Sequence, residues 1–192
     1  MNSKIEEEER WQRQIHRCGS HYKSDTTTTY TPIFILMYST EIDAILSKDR
    51  YLKNQFLGVF SADQLQNLRL PRRKKYCLVV NTDPKHAPGR HWQAIAVNRG
   101  TCFFFCSLAE RPNRYISKFL KRFRRVHRNP RRQQRLNEVT CGGFVIFVLT
   151  MLARGYTFKK LCNLFDRLSA DDKFIRDYLL DAHGYVIPPA PR

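Results

Sequence analysis

The sequence predicts an α+β fold, with strands clustered in the middle of the chain and helices before and after them. Three apolar, strand-like segments follow one another between residues 76 and 108. The segment 142–152 is apolar nearly all round, which is typical of a buried central helix. A chain of 192 residues is long enough for one domain with its own hydrophobic core.

The beginning of the chain predicts an extension that precedes this domain. The charged segment KIEEEERWQRQIHR is followed by the threonine-rich SHYKSDTTTTYTP, so residues 1–31 are expected to form a polar, flexible N-terminal extension. We expect a single domain over residues 32–187 and a frayed tail over residues 188–192.

The first helix of the domain is predicted over residues 39–49, STEIDAILSKD. Ser39 or Thr40 can cap its N-terminus, acidic residues follow in the first turn, and its apolar residues share one face. The next segment, FLGVFSADQL, is apolar up to a capped turn at Ser61.

The predicted strands come next. Tyr76–Asn81 (YCLVVN) is compact and apolar, and a loop rich in proline and glycine, TDPKHAPGR, separates it from the alternating segment HWQAIAVN. A tight turn at residues 98–100 leads into the third strand-like segment, TCFFFCSL.

The second half of the chain predicts helices. Apolar residues recur at helical spacing from Tyr115 to Val126 with lysines and arginines around them, and Pro130 is expected to end this helix. The buried helix from Gly142 follows. The segment YTFKKLCNLFDRLSADDKFIRDYLLDAHG predicts two helices that are separated near Ser169.

The chain carries a large excess of basic residues, with a formal net charge of +17 and a pI near 10.0. Such an excess favours an anionic partner, nucleic acid before an acidic membrane surface, although a solvated basic face is the simpler alternative. Candidate phosphate contacts lie on the predicted basic helix and the loop after it: Lys118, Lys121, Arg122, Arg124, Arg125, Arg128, Arg131 and Arg132.

The cysteines and the chain start predict the compartment. The segment MNSKIEEEER is too acidic and polar for a signal peptide, and no apolar stretch reaches the roughly 20 residues that span a bilayer. The six cysteines form no CxxC pair and match no common zinc pattern, so we expect reduced thiols and no metal. These observations predict an intracellular protein that is not secreted and has no membrane contact.

Cys141 lies directly before the predicted buried helix, in the segment EVTCGGF. The partial positive charge of a helix N-terminus lowers the pKa of a thiol there, and the glycines that follow let backbone N–H groups approach a substrate carbonyl. The segment therefore predicts either a nucleophile or a buried structural thiol.

Two upstream residues favour the nucleophile. His91 opens a predicted strand after a loop, a position where active-site histidines are often found, and Gln134 lies in a polar loop where its amide could donate to an oxyanion. A surface histidine and an ordinary loop glutamine are the alternatives.

The order of His91, Gln134 and Cys141, together with EIDAILSKD, FLGVFSADQL, HWQAIAV and CFFFCSL, resembles the adenovirus endopeptidase (adenain) family. The branch in Polinton/Maverick elements and adinto-like viruses is the most similar, and SUMO-specific cysteine proteases are similar more distantly. The resemblance covers residues 39–153.

The resemblance implies a papain-like cysteine protease fold, with a central mixed sheet of about five strands flanked by helices and the nucleophile at the N-terminus of a buried helix. It implies that Cys141 is the nucleophile, that His91 is the general base, and that Gln134 and the backbone N–H of Cys141 form the oxyanion hole. Trp92 and Gly142 would pack beside the site.

Cys106 departs from the family pattern, because it stands where the related enzymes carry the acid of the catalytic triad. A neutral thiol is a poor acceptor for the imidazole N–H, and loss of the orienting aspartate costs a serine protease about 10⁴-fold in rate. Glu110 and Asp83 are the candidates for a substitute acid.

The predicted function is a viral or transposon-encoded cysteine endopeptidase that processes capsid or core precursor proteins during virion maturation. One alternative is an inactive, protease-derived DNA-binding or capsid-associated protein, which Cys106 favours, and another is a deconjugase of ubiquitin-like modifiers. The chemistry needs no cofactor, while the resemblance implies DNA and an activating peptide as cofactors. We expect precursor proteins and DNA as partners, a monomer, and a location in the host nucleus and virion.

Overall fold

The computed structural model describes residues 37–72, 74–168 and 171–187. The predicted extension over residues 1–31 and the predicted tail over residues 188–192 lie outside these described residues. Both therefore stay predictions.

The centre of the fold is a mixed five-stranded sheet in the order β1-β2-β3-β4-β5. The outer pairs β1/β2 and β4/β5 are parallel, and the inner pairs β2/β3 and β3/β4 are antiparallel. The strands are β1 (Phe56–Phe60), β2 (Lys75–Asn81), β3 (Trp92–Asn98), β4 (Thr101–Phe105) and β5 (Arg125–Arg128). The three strands predicted between residues 76 and 108 are β2, β3 and β4.

Helices lie on both faces of this sheet. The central one is α3, in which every residue from Cys141 to Met151 is buried, as its uniformly apolar sequence predicts. The helices are α1 (Ser39–Lys48), a short 3-10 helix (Asp63–Asn67), α2 (Arg114–Leu120), α3 (Cys141–Ala153), α4 (Phe158–Phe165) and α5 (Asp171–His183).

The buried apolar side chains form two hydrophobic clusters, one on each face of the sheet, because successive side chains of a strand point to opposite faces. On β3, Ala94 packs into the cluster around α3, while Ile95 packs into the cluster with α2 and the 3-10 helix. The sheet is thus covered on both faces, and α3 packs directly against β3.

The helix predicted from Tyr115 to Val126 is shorter than expected, and this prediction is wrong at its C-terminal end. α2 ends at Leu120, and Arg125–Arg128 pairs in parallel with β4 as the edge strand β5. The unpaired edge of β4 offers hydrogen bonds that outweigh the local helical pattern. The basic residues predicted on one helix therefore lie on α2, in the turn after it and on β5.

No helix among the described residues is long and apolar enough to cross a membrane.

Candidate active site

The sheet register brings His91 and Cys106 together. β3 and β4 pair in antiparallel fashion with Ala94 opposite Phe105, so the chain just before β3 lies beside the chain just after β4. His91 and Cys106 occupy these two positions, and the His91 Nε2 atom lies 3.3 Å from the Cys106 Sγ atom. Cys106 thus meets the imidazole at the position predicted for the triad acid.

Cys141 lies at the first position of α3. Its sulfur accepts the backbone N–H groups of Trp92 and Gly142, so the thiol lies against the start of β3. The second ring nitrogen of His91, Nδ1, is buried and has no hydrogen-bond partner. The predicted nucleophile and the predicted base therefore come from adjacent segments, and one ring nitrogen is left to take up a proton.

Burial sets the resting charges of this pair. The Cys141 side chain is 1% exposed and His91 is 3% exposed. Burial raises the pKa of the Cys141 thiol to about 11, against the smaller lowering effect of the N–H groups that it accepts, and lowers the pKa of His91 to about 4. The sequence-based expectation of a thiol acidified by the helix is thus reversed here, and both groups are neutral near pH 7.

Gln134 is buried and held at both ends of its amide. Its Oε1 accepts the hydroxyl of Ser107 at 2.7 Å, and its Nε2 donates to the carbonyl of Glu138 at 2.6 Å. Its backbone N–H also donates to the Ser107 carbonyl. One amide hydrogen is used by Glu138, and the second can serve the predicted oxyanion hole.

The backbone of Cys106 is fixed by an asparagine that follows β5. The Cys106 N–H donates to Asn129 Oδ1 at 2.9 Å, and Asn129 Nδ2 donates to the Cys106 carbonyl at 2.8 Å. This reciprocal pair holds the sulfur at the end of β4, in contact with the ring of His91.

Neither candidate for a substitute acid lies on the His91 ring. Asp83 accepts a hydrogen bond and ion pair from Arg90 at 3.0 Å, and Glu110 is exposed. Glu110 contributes its backbone N–H instead, which donates to the Cys106 sulfur at 3.3 Å. The Asp83 carboxylate is thus paired with Arg90, and Glu110 reaches the Cys106 sulfur through its backbone.

Met37 covers the start of α3. Its carbonyl accepts the Trp92 indole N–H at 2.8 Å, and a Cβ atom on Gly142 would lie only 2.6 Å from the Met37 sulfur. Glycine is therefore needed at position 142 for this close packing. The predicted packing residues Trp92 and Gly142 both contact the Met37 segment.

The C-terminal helix fixes the loop between Gln134 and Cys141. The Asp172 carboxylate of α5 accepts the hydroxyl of Thr140 and the backbone N–H of Arg135. Burial raises the pKa of Asp172 to about 6. One carboxylate thus holds the residue after Gln134 and the residue before Cys141.

A cleft of about 530 Å³ opens beside the site. Trp92 and Arg90, the neighbours of His91, line it together with Tyr38, Phe60 and Pro88. Its size falls in the range of small-molecule and peptide-side-chain sites in proteins.

The candidate nucleic-acid residues are all exposed. Lys118 lies on α2, while Lys121, Arg122 and Arg124 lie in the turn after it, Arg125 and Arg128 on β5, and Arg131 and Arg132 in the loop that leads to Gln134. Arg122 donates to the Leu68 carbonyl, Arg128 lies over the Phe104 ring at 6.0 Å, and Arg131 pairs with Asp166 at 3.9 Å.

Sequence reasoning missed several residues of the site. Gln93 had a signal, because alternate residues of a strand share a face and Gln93 lies two positions after His91. Asn129, Asp172 and Met37 had none, since they reach the site only through the folding of distant segments. Within the described ranges, no group of three or more His, Cys, Asp and Glu side chains could hold a metal ion.

The sequence matches no known family model and no curated protein. Among solved structures, the chain is similar to the ASFV pS273R protease, with a TM-score of 0.56 and 15% identity over 82% of this chain and 69% of that chain. It is also similar to the SUMO protease Ulp1 with its catalytic cysteine oxidized to a sulfinic acid (TM-score 0.40, 12% identity, 74% of this chain and 78% of that chain). For the Ulp1 protease domain in complex with Smt3, the yeast ortholog of SUMO, the TM-score is 0.39 and the identity is 13%, over 74% of this chain and 78% of that chain.

The likeness to the ASFV protease confirms the predicted fold, an α+β, papain-like cysteine protease fold with a mixed five-stranded sheet. The adenovirus and Polinton branch stays a prediction.

Proposed function

We propose that this chain is a cysteine endopeptidase in which Cys141 is the nucleophile and His91 is the general base. The observation that carries the proposal is that the Cys141 sulfur accepts the backbone N–H of Trp92, the residue next to His91, and that the buried Nδ1 atom of His91 has no hydrogen-bond partner. A thiol and a free ring nitrogen on adjacent segments fit a direct proton transfer from sulfur to nitrogen.

The reaction follows from this arrangement. His91 Nδ1 takes the thiol proton as the Cys141 sulfur forms a bond to the scissile carbonyl carbon, and the oxyanion accepts N–H groups from Cys141 and Gln134. The oxyanion collapses, the C–N bond breaks, and the imidazolium gives its proton to the leaving amine. Water, deprotonated by His91, then releases the acyl group and restores the thiol.

The substrate is a protein segment in an extended conformation. It would lie in the cleft that Trp92, the residue next to His91, helps to line. By the resemblance in sequence, we propose precursor proteins of a virus or transposon as substrates, in the host nucleus and in the virion.

A peptide library tests the proposal. The protein is incubated with a mixture of peptides from a digested proteome, and new termini are identified by mass spectrometry. We expect cleavage by the parent protein and none by Cys141→Ala, while Cys77→Ala, which removes a buried thiol on β2, keeps it. Equal cleavage by the parent and Cys141→Ala would contradict the proposal.

We also propose DNA as a partner, because the exposed basic group on α2 and β5 adjoins the loop of Gln134. Phosphate contacts by lysine and arginine are independent of sequence and release counterions. Bound DNA would lie along the same loop that carries the oxyanion donor.

Duplex binding is expected to depend steeply on salt. Affinity should fall by about 10³-fold or more between about 50 and about 200 mM salt, and Arg122→Ala, Arg124→Ala and Arg125→Ala together should flatten the log–log slope by up to about three. The matched control removes three exposed charges on and after α4: Lys159→Ala, Lys160→Ala and Arg167→Ala. An equal slope for both triple variants, measured by fluorescence anisotropy, would place DNA elsewhere.

An inactive DNA-binding or capsid-associated protein is the second candidate, and Cys106 at the acid position is the observation that favours it. The peptide library distinguishes the two, because an inactive protein yields no new termini while the duplex-binding result is unchanged.

A further inference from the structure

The surroundings of the Cys106 sulfur are unusual for a buried cysteine. The N–H groups of Leu108 and Glu110 and the amide of Gln93 all donate to it, and His91 Nε2 lies at 3.3 Å. Continuing the register of β3 and β4 places Gln93 directly opposite Cys106, which explains the contact of 3.4 Å between Gln93 Nε2 and the sulfur.

The proton of the Cys106 thiol needs an acceptor among these groups. Burial raises the pKa of Cys106, so the group carries its proton near pH 7. If that proton is donated to His91 Nε2, the ring carries its own proton on Nδ1, because a neutral imidazole has one N–H and one lone pair. Nδ1 could not then accept the proton of Cys141, and the proposed base would be lost.

Gln93 offers the alternative acceptor. Its side chain is fully buried at 0% exposure, and its Oε1 atom has no hydrogen-bond partner. A half-turn of the amide brings Oε1 to the place where Nε2 now faces the sulfur, so that the Cys106 S–H can be donated to oxygen. In either orientation of the Gln93 amide, one of its two polar atoms faces the sulfur and the other has no partner. A protonated Cys106 thiol therefore favours the orientation in which Oε1 faces the sulfur.

We propose that Gln93 is a positioning residue of this protease: its amide oxygen accepts the Cys106 S–H, so that the Cys106 sulfur accepts the His91 Nε2–H and Nδ1 stays free for the proton of Cys141. Gln93 and Cys106 together then do what one carboxylate does in a Cys-His-Asp triad. The inference rests on the proposed protease function, but it concerns a ring tautomer that can be observed without any substrate.

The tautomer is read from the ¹⁵N resonances of the histidine rings, with His91 assigned by its absence in His91→Ala. We expect Nε2–H in the parent protein and a shift towards Nδ1–H in Gln93→Met, which keeps the approximate shape but removes the acceptor. Gln93→Glu supplies an acceptor again and should restore Nε2–H. Gln55→Met, a partly buried glutamine at the start of β1, is the matched control and should leave the ring unchanged.

Cleavage rates give the second readout. Gln93→Met should lower kcat about tenfold with little change in KM, since general-base catalysis contributes about 10²–10⁴-fold in total and only part of the ring population is lost. In a Cys106→Asp background the same change should have less than half the effect on log kcat, because the carboxylate no longer needs the amide.

Nδ1–H in the parent, or the same tautomer in the parent and in Gln93→Met, would overturn the inference even if the protein cleaves peptides. A protein that cleaves nothing would contradict the proposed function, and the ring resonances would still decide the role of Gln93.

Discussion

Replacing His91 with alanine is expected to lower the peptide-cleavage rate by about 10²–10⁴-fold, the range that general acid–base catalysis contributes. The Cys141 thiol has a pKa of about 11, so it does not ionise by itself near pH 7 and depends on a base at the moment of attack. His91 is neutral at that pH because burial holds its pKa at about 4, and its Nδ1 atom has no competing partner.

The comparison is made with His86→Ala, which removes an exposed histidine from the same loop before β3. That variant should keep the parent rate. Alkylation of Cys141 by iodoacetamide gives a check without substrate, and it should also be slower in His91→Ala than in His86→Ala. Equal alkylation and cleavage in the two variants would remove His91 from the mechanism.

Changing Cys106 to aspartate is expected to raise the cleavage rate by about tenfold or more, because a carboxylate both orients the imidazole and stabilises the imidazolium that forms. The donors that a carboxylate needs are already present around the sulfur: the backbone N–H groups of Leu108 and Glu110, and the ring of His91. Asn129 holds the backbone of residue 106 whatever its side chain.

The sign of the pH effect follows from the charge. A carboxylate beside His91 favours the imidazolium and raises the pKa of the ring above its present value of about 4, so the acid limb of the pH–rate profile should move to higher pH in Cys106→Asp. Cys106→Asn, which is similar in shape but uncharged, should leave the limb in place. If the aspartate variant is no faster than an active parent, the sulfur and Gln93 already orient the ring as well as a carboxylate does.

The local pattern of apolar residues predicted an element correctly where that element buries its own apolar residues against a neighbour. The uniformly apolar segment after Cys141 predicted the buried helix α3, and the segments between residues 76 and 108 predicted three of the strands. The pattern failed after Leu120, where the chain leaves its helix to pair with β4, because the edge that it pairs with is more than twenty residues away in sequence.

The sequence by itself determined the fold class, the buried helix and the order of His91, Gln134 and Cys141, because these depend on periodicity, helix termini and motif spacing. Only the tertiary structure decided what faces His91. Asp83 and Glu110 also lie within twenty residues of His91, but the register of β3 and β4 places the Cys106 sulfur on the ring, and the Asp83 carboxylate pairs with Arg90 instead. The tertiary structure also decided the charges of Cys141 and His91, since desolvation depends on the segments that cover a group, and at Cys141 it outweighs the backbone hydrogen bonds to the sulfur.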